Sequence, residues 1–384
     1  MLKSLDTLSI LKKQLKIVVL VTEDWYFVSH RLQLGITARK AGYEVVVITR
    51  CRDHEETIRS AGLRVLPLEM DRRGLSPLGL IREILQVVRL YLSERPDIVH
   101  HVALRPVLVG GVAARLVGIK NLVSALAGMG FLFTDNRHDS FISKGLKCIL
   151  PWLVGRGRAI VQNSEDATLL TKCGVPQEKI RLVPGSGVNT EEYQPQSKKS
   201  DPPVVMMASR LLLDKGVLEF VEAARIVNRS QKLARFVLVG EPDHDNPASV
   251  HVAQIQQWVE DSAVEAWGRQ EKMSEILPQA TIFCLPSYRE GMPKALLEAM
   301  ACGLPCITTN APGCRDAVRH EDNGLLVPIK DAEALAEAIK RLLQNPAERL
   351  RMGARGRERA EKEFNQEIII QQTLDVYREM INAG

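Results

Sequence analysis

One pattern narrows what this chain can fold into more than any other: a short β-branched run, then a helical stretch, repeated along nearly its whole length. Lys16-Ile-Val-Val-Leu-Val-Thr22 reads as a buried strand, residues 23–29 as a loop, 30–41 as a helix stopped by Gly42, and 44–49 as a second strand. Apolar runs at 64–68, 97–100, 121–124 and 159–162 continue the series, with periodic helices such as 78–94 between them. Parallel strands need crossover connections, and when those crossovers are helices both faces of the sheet are covered. The expected class is therefore α/β.

A stretch of Pro, Gln, Ser, Lys and Asp at 193–203 reads as a linker, after which the pattern restarts. Strands are expected at 203–208, 235–240, 264–267, 281–285, 305–309 and 324–327, and helices at 217–228, 249–261, 272–277, 294–302 and 332–343. Two Rossmann-like halves result. Neither carries a dinucleotide fingerprint: Gly128-Met-Gly130 and Gly185-Ser-Gly187 have Phe133 and Thr190 where the third glycine belongs, which argues against a dehydrogenase.

Composition excludes other classes. At 384 residues, 45% apolar and 25% charged, the chain is an ordinary globular protein of two or three domains. A net charge of +5 is too small to indicate nucleic acid, yet residues 1–160 hold 24 basic and 14 acidic side chains, so the positive excess lies in the N-terminal half. Seven cysteines without a CxxC pair suit a reducing compartment, and Cys302 and Cys306 read as buried thiols, so no metal site is expected. The first apolar run, 17–21, is far too short to span a bilayer or to serve as a secretory core.

The most informative segment is Pro286-Ser-Tyr-Arg-Glu-Gly-Met-Pro-Lys-Ala-Leu-Leu-Glu-Ala-Met-Ala-Cys-Gly-Leu-Pro305. It follows a strand and opens a helix. Pro293 suits the first helical turn, Gly291 permits close backbone approach, and amides around Met292, Lys294, Ala295 and Leu296 would face an anion at the carboxyl edge of the sheet. Glu290 precedes the helix and Glu298 lies in its second turn, so the two carboxylates can grip different parts of an extended ligand. The plainer alternative is that Glu290 offsets the helix dipole and Glu298 is a solvated helix residue.

This segment resembles the signature of the retaining glycosyltransferases of family GT4, which share the GT-B fold. Ala208-Ser-Arg-Leu-Leu-Leu-Asp-Lys-Gly216 is similar to the family segment that supplies an Arg and a Lys to the donor diphosphate, here Arg210 and Lys215. Val183-Pro-Gly-Ser-Gly-Val-Asn189 resembles the interdomain loop, Val239-Gly-Glu241 and Trp267-Gly-Arg269 the nucleoside pocket, and Asn323-Gly-Leu-Leu-Val-Pro328 the late C-terminal strand. The nearest likeness is to bacterial enzymes that extend lipid-linked or O-antigen saccharides. The resemblance implies two Rossmann-like domains facing across a cleft: an acceptor domain at 1–190, a nucleotide-sugar domain at 191–364, and a last helix at 365–384 crossing back. Glu290, Arg210 and Lys215 would be catalytic. Gly240, Glu241, Gly268, Arg269, residues Gly291 to Leu296 and Glu298 would bind the donor, expected to be a UDP-sugar, with no separate cofactor. Glu290 would hold the transferred sugar and Glu298 the ribose, and hinge motion at 185–196 would close the cleft.

On the acceptor side the expected residues are Gly128 and Gly130, together with His101 at a strand end and Tyr26 in the first strand-to-helix loop. Many relatives carry a histidine near the position of Gly128, and this chain does not. Asp243-His-Asp245 spells a DxD, read as incidental because cations take the metal's role in this family. Residues 131–158 mix apolar side chains with Arg137, Lys144, Lys147, Arg156 and Arg158, an amphipathic face beside basic residues that suits anionic lipid headgroups or a lipid diphosphate. The expected location is the cytoplasmic face of the plasma membrane, held peripherally. The charge-dense 349–362 reads as an exposed helix. Two rivals stand beside this reading: an epimerase of the same fold, which needs no acceptor, and a non-catalytic nucleotide-sugar binder, which needs no lipid surface.

Overall fold

The structure, a computed structural model, describes residues 14–70, 76–126, 141–196, 200–243 and 245–382. Its strands form two parallel sheets. The first contains β1 (Lys16–Glu23), β2 (Glu44–Arg50), β3 (Arg64–Pro67), β4 (Ile98–Val102), β5 (Leu122–Ala125), β6 (Arg158–Val161) and β7 (Ile180–Leu182), in the order β3-β2-β1-β4-β5-β6-β7. The second contains β8 (Val204–Ala208), β9 (Arg235–Val239), β10 (Glu265–Ala266), β11 (Ile282–Leu285), β12 (Cys306–Thr309) and β13 (Gly324–Val327), in the order β10-β9-β8-β11-β12-β13. In each sheet the order reverses beside the first strand, at β1/β4 and at β8/β11. Such a reversal opens a crevice at the carboxyl ends of the strands, where ligands of open α/β sheets bind.

Most positions of the central strands are apolar because both faces are covered. Along β1, Ile17, Val19 and Val21 join one cluster with Val45, Val47 and the helix Gln366–Asn382, while Val18 and Leu20 join another with Val87, Tyr91 and Val109 from helices Pro77–Glu94 and Leu104–Val117. The second sheet has its own core, centred on Val205, Met206, Phe220, Phe283 and Leu297. The chain crosses between the two halves twice, and the crossings touch. The Val188 amide donates to the Phe364 carbonyl at 2.9 Å, and the Gln366 amide donates to the Val188 carbonyl at 3.0 Å. A Cβ on Gly187, whose φ is +70°, would sit 2.6 Å from Gln366 Cα. From there the final helix returns to the first sheet and buries Ile369, Leu374 and Tyr377 in it.

Three expectations are corrected, and one strand was not foreseen. Residues 23–29 are not a loop, since β1 runs directly into a helix, Asp24–His30, that breaks from the next helix at Arg31. Its aromatic and β-branched residues are weak helix formers, but burial of Phe27 and three amide contacts to the Asp24 carboxylate, from Trp25 (2.7 Å), Arg52 (2.6 Å) and His54 (3.0 Å), override that preference. Helix Pro346–Lys362 is not wholly exposed: Met352, Gly353, Gly356 and Arg359 are buried, and Gly353 lies so close to the Gly303 carbonyl that a Cβ would be 2.1 Å from it. The linker's first part is built in, with Tyr193 buried and the Arg357 guanidinium donating to the carbonyls of Thr190 (2.9 Å), Tyr193 and Ala301 (both 2.6 Å). Strand β7 carries too short an apolar run to be read from sequence.

Candidate active site

The crevice of the second sheet is built from strand ends. After β8 come Ser209 and Arg210, then a single 3₁₀ turn, Leu213–Lys215, and Gly216 in the left-handed region. A Cβ on Gly216 would lie 2.2 Å from the Pro286 carbonyl oxygen, so the Lys215 turn can press against the loop after β11 only with glycine there. Gly240, at φ +125°, packs on the Ser209 carbonyl in the same way, with a Cβ only 1.9 Å from its oxygen. Its amide donates to the Gly268 carbonyl at 2.8 Å, and the Leu211 amide donates to the Glu241 carbonyl at 3.0 Å. Arg210, Gly240, Glu241 and Gly268 thus meet at one edge, with Glu241 and Arg269 exposed there.

On the other side of the reversal, the loop after β11 presents Glu290. Its Oε1 accepts from Lys215 Nζ at 2.5 Å and from Ser287 Oγ at 2.8 Å, and its amide donates to the Pro312 carbonyl at 3.0 Å. The Lys215–Glu290 pair is mostly buried, 16% and 14% exposed, so it sits within the crevice rather than on the surface. Behind it the Cys314 thiol is pushed up to about 12 by burial and then by the Glu290 charge. Arg210 is 44% exposed and holds Asp243 Oδ2 at 2.7 Å, so the first carboxylate of the DxD lies against a cation. His244 falls outside the described residues.

Helix Lys294–Ala301 begins at the expected residue and ends one short of the expected Cys302. Pro293 is its N-cap and not its first turn, and the Pro293 carbonyl accepts from the Leu296 and Leu297 amides at 3.0 and 3.3 Å. The Leu296 amide is therefore spent within the helix. Among the described residues the amides of Lys294 and Ala295 have no protein acceptor and remain the free donors of the helix start. Gly291, Met292 and Pro293 are buried, with Met292 Cβ 3.0 Å from where a Cβ on Gly185 would stand. Glu298 is not solvated: it is buried, accepts from the Tyr193 hydroxyl at 2.9 Å and pairs with Lys294 at 3.2 Å. Burial, then the Glu298 charge, holds the Tyr193 hydroxyl protonated well above its ordinary range.

The first sheet faces this crevice with fewer charges. Lys294 Nζ reaches across to the Ser29 carbonyl at 3.0 Å, beside Tyr26, whose ring stacks on His30 at 4.3 Å. Burial, then the charges of Lys294 and Arg31, pushes the His30 imidazole down to about 3. His101, expected to line the acceptor side, does not. It is fully buried, its Nε2 2.9 Å from the Tyr91 hydroxyl, and the helix at Gly110 presses on its ring. Adjacent strand residues face opposite ways, so His100 points to the other face and meets the Tyr377 hydroxyl at 2.6 Å. Gly128 and Gly130 lie outside the described residues.

Sequence reasoning missed Asn163, Asp166, Arg289 and Tyr193. Asn163 caps helix Ser164–Lys172, and the signal was present: Asn-Ser-Glu-Asp after a strand is a cap signature. Nothing local indicated that the same side chain would reach Gly291.

Two family profiles cover most of the chain: "Glycosyl transferase 4-like" matches residues 16–164 and "Glycosyl transferases group 1" matches 189–359. The chain belongs to the GT4-like, group 1 glycosyltransferases. Among relatives of this glycosyltransferase is the N,N'-diacetylbacillosaminyl-diphospho-undecaprenol alpha-1,3-N-acetylgalactosaminyltransferase of Campylobacter jejuni, 27% identical over 88% of this chain and 92% of that one. Another is the UDP-Gal:alpha-D-GlcNAc-diphosphoundecaprenol alpha-1,3-galactosyltransferase of Escherichia coli, 28% identical over 70% and 72%. Anabaena HepE, solved in complex with UDP and glucose, superposes with a TM-score of 0.77 at 18% identity, covering 94% of this chain and 99% of that one, a likeness that establishes the GT-B fold.

Proposed function

We propose that this glycosyltransferase moves a hexose or N-acetylhexosamine from a UDP-sugar to a lipid-linked saccharide, with retention of configuration. The observation that carries the reading is the convergence of Arg210, Lys215, Glu290 and the free amides of Lys294 and Ala295 on one crevice. Cleaving a sugar–diphosphate bond leaves a highly charged group, and preorganised cations and amides stabilise it most when water is excluded. Arg210 and Lys215 take the phosphates. Lys215 already holds Glu290, so the cation at the leaving group and the carboxylate for the sugar hydroxyls are set at one point. Glu298, backed by Tyr193, binds the ribose, and Gly240, Glu241, Gly268 and Arg269 frame the base. A diphosphate oxygen takes the acceptor's proton on the same face, which needs neither a covalent intermediate nor a metal.

The acceptor belongs on the first sheet's side, at residues 1–190, and the donor at 191–364. Among the described residues no helix is long and apolar enough to cross a membrane. Peripheral attachment to an anionic inner surface is supported by helix Pro77–Glu94, where Leu78, Ile81, Leu85 and Leu92 stand 80%, 53%, 51% and 57% exposed along one stripe with Arg82 and Arg89 at its flank. The stretch 131–158 supports it less. Residues 131–140 lie outside the described structure, and Leu150, Leu153 and Val154 pack inward.

The test is a panel of UDP- and GDP-sugars with membrane lipid extract, read by mass spectrometry, with a parallel arm lacking lipid. A product heavier than its lipid by one sugar, formed from a UDP donor, is expected. Donor conversion without lipid favours the epimerase, and UDP binding without any turnover favours a binding protein. Serine at Leu78, Leu85 and Leu92 should weaken sedimentation with phosphatidylglycerol vesicles; unaltered sedimentation removes that face from the account.

A further inference from the structure

The loop that carries Glu290 is held from the opposite half of the molecule. Asn163 and Asp166, at the start of the helix that follows β6, reach it by two routes. Asn163 Nδ2 donates to the Gly291 carbonyl at 2.9 Å, with the Glu290 carbonyl at 3.4 Å. Asp166 Oδ1 accepts from Arg289 Nη2 at 2.7 Å, and its other oxygen accepts from Asn163 Nδ2 at 3.1 Å. Asp166 is 1% exposed and Arg289 12%, so this is an interior pair at the domain boundary and not a surface contact. Glu165 adds a looser bond to Arg289 at 3.4 Å and also pairs with Arg315.

We infer that Asn163, Asp166 and Arg289 are positioning residues that set the Glu290 loop only when the two halves are together. The inference rests on the role proposed for Glu290 and adds a dependence on closure. Arg289 and Gly291 flank Glu290 in sequence, so fixing both fixes the carboxylate between them. A charge buried in this way is costly without its partner, which makes the clamp specific for the assembled cleft. Donor binding, by contrast, uses groups of the second sheet alone and does not require it. A misplacement of about 1 Å at a reacting centre can cost on the order of 10²-fold in rate.

Asn163 also caps its own helix, the Asp166 amide donating to Asn163 Oδ1 at 2.8 Å, so the test must separate capping from positioning. Asn163→Ser does so, because serine caps a helix but is too short to reach Gly291. We expect Asn163→Ser to keep its melting temperature and its UDP affinity by calorimetry within about twofold, to lose turnover of the UDP-sugar panel by tenfold or more, and to speed amide hydrogen exchange at 289–292. Arg289→Lys should retain more turnover than Arg289→Ala. Unchanged turnover and unchanged exchange in Asn163→Ser would overturn the clamp while leaving the glycosyltransferase reading intact. A parent protein that binds no UDP would sink that reading, yet the exchange measurement would still decide whether the loop is held from across the cleft.

Discussion

The two sheets reverse strand order in the same way and present the same kind of crevice, but they fill it differently. At the edge of the second sheet, glycines at 216 and 240 let turns press together until Lys215, Ser287 and Glu290 are within hydrogen-bonding distance. At the edge of the first, the polar side chains that end β4 turn inward, and His100 and His101 are sealed against Tyr377 and Tyr91. One edge gathers its polar groups in the crevice, the other turns them into its own core. The proposed reaction gives this difference a chemical reason: a diphosphate must be met by fixed charges, whereas a saccharide on a lipid can be met by shape and by a few hydroxyl contacts.

If the contrast holds, substitutions at the second edge should damage chemistry and those at the first should damage stability. The largest effect is expected for Glu290→Ala, which should reduce transfer about 10³-fold while leaving UDP affinity within a few-fold; near-normal turnover would remove Glu290 from the reaction. Lys215→Ala should cost about 10² in turnover and weaken UDP binding as well, since it loses a phosphate cation and strands the Glu290 carboxylate. Gly240→Ala forces a Cβ against the Ser209 carbonyl at positive φ, and should cost roughly 2 kcal/mol of stability together with UDP affinity, measured by denaturant unfolding and calorimetry.

A pH experiment addresses the first edge. Burial pushes His101 down to about 3 and His100 well below its ordinary value, whereas both titrate near 6.5 once unfolded. Between those values the unfolded chain binds protons that the folded chain cannot. Stability should therefore be fully present above about pH 6.5 and fall steadily as pH drops toward 3. Melting temperatures should decline from pH 7.5 to pH 5, and His100→Gln with His101→Gln should flatten the slope; an equal slope in that variant would point to other groups. The smallest effect is expected at Arg210, whose partner Asp243 competes with a phosphate. Asp243→Asn should tighten UDP binding by no more than about fivefold, because an exposed pair is worth at most about 1 kcal/mol.

Much of the second edge was legible in the chain itself. The Glu290–Glu298 spacing, Arg210, Lys215 and the glycines lie in contiguous segments whose spacing sets their place at strand ends, and the strand reversal then brings three such segments together. The acceptor side was less legible. His101 looked like a site residue because it ends a strand, but strand alternation and the close approach of the helix at Gly110 send it into the core. Residues 23–29 looked like a loop because local propensity was weak, and burial of Phe27 decided otherwise.

Sequence alone determined the α/β alternation, the division into two halves and the strand-to-helix placement of the segment around Glu290, because each depends on periodicity or on residues close together in the chain. Only the tertiary structure decided that Tyr193 backs Glu298, that Arg357 pins the crossing and that Asn163 and Asp166 hold the Glu290 loop. Those contacts join positions more than 100 residues apart, and no local preference encodes a partner at that distance.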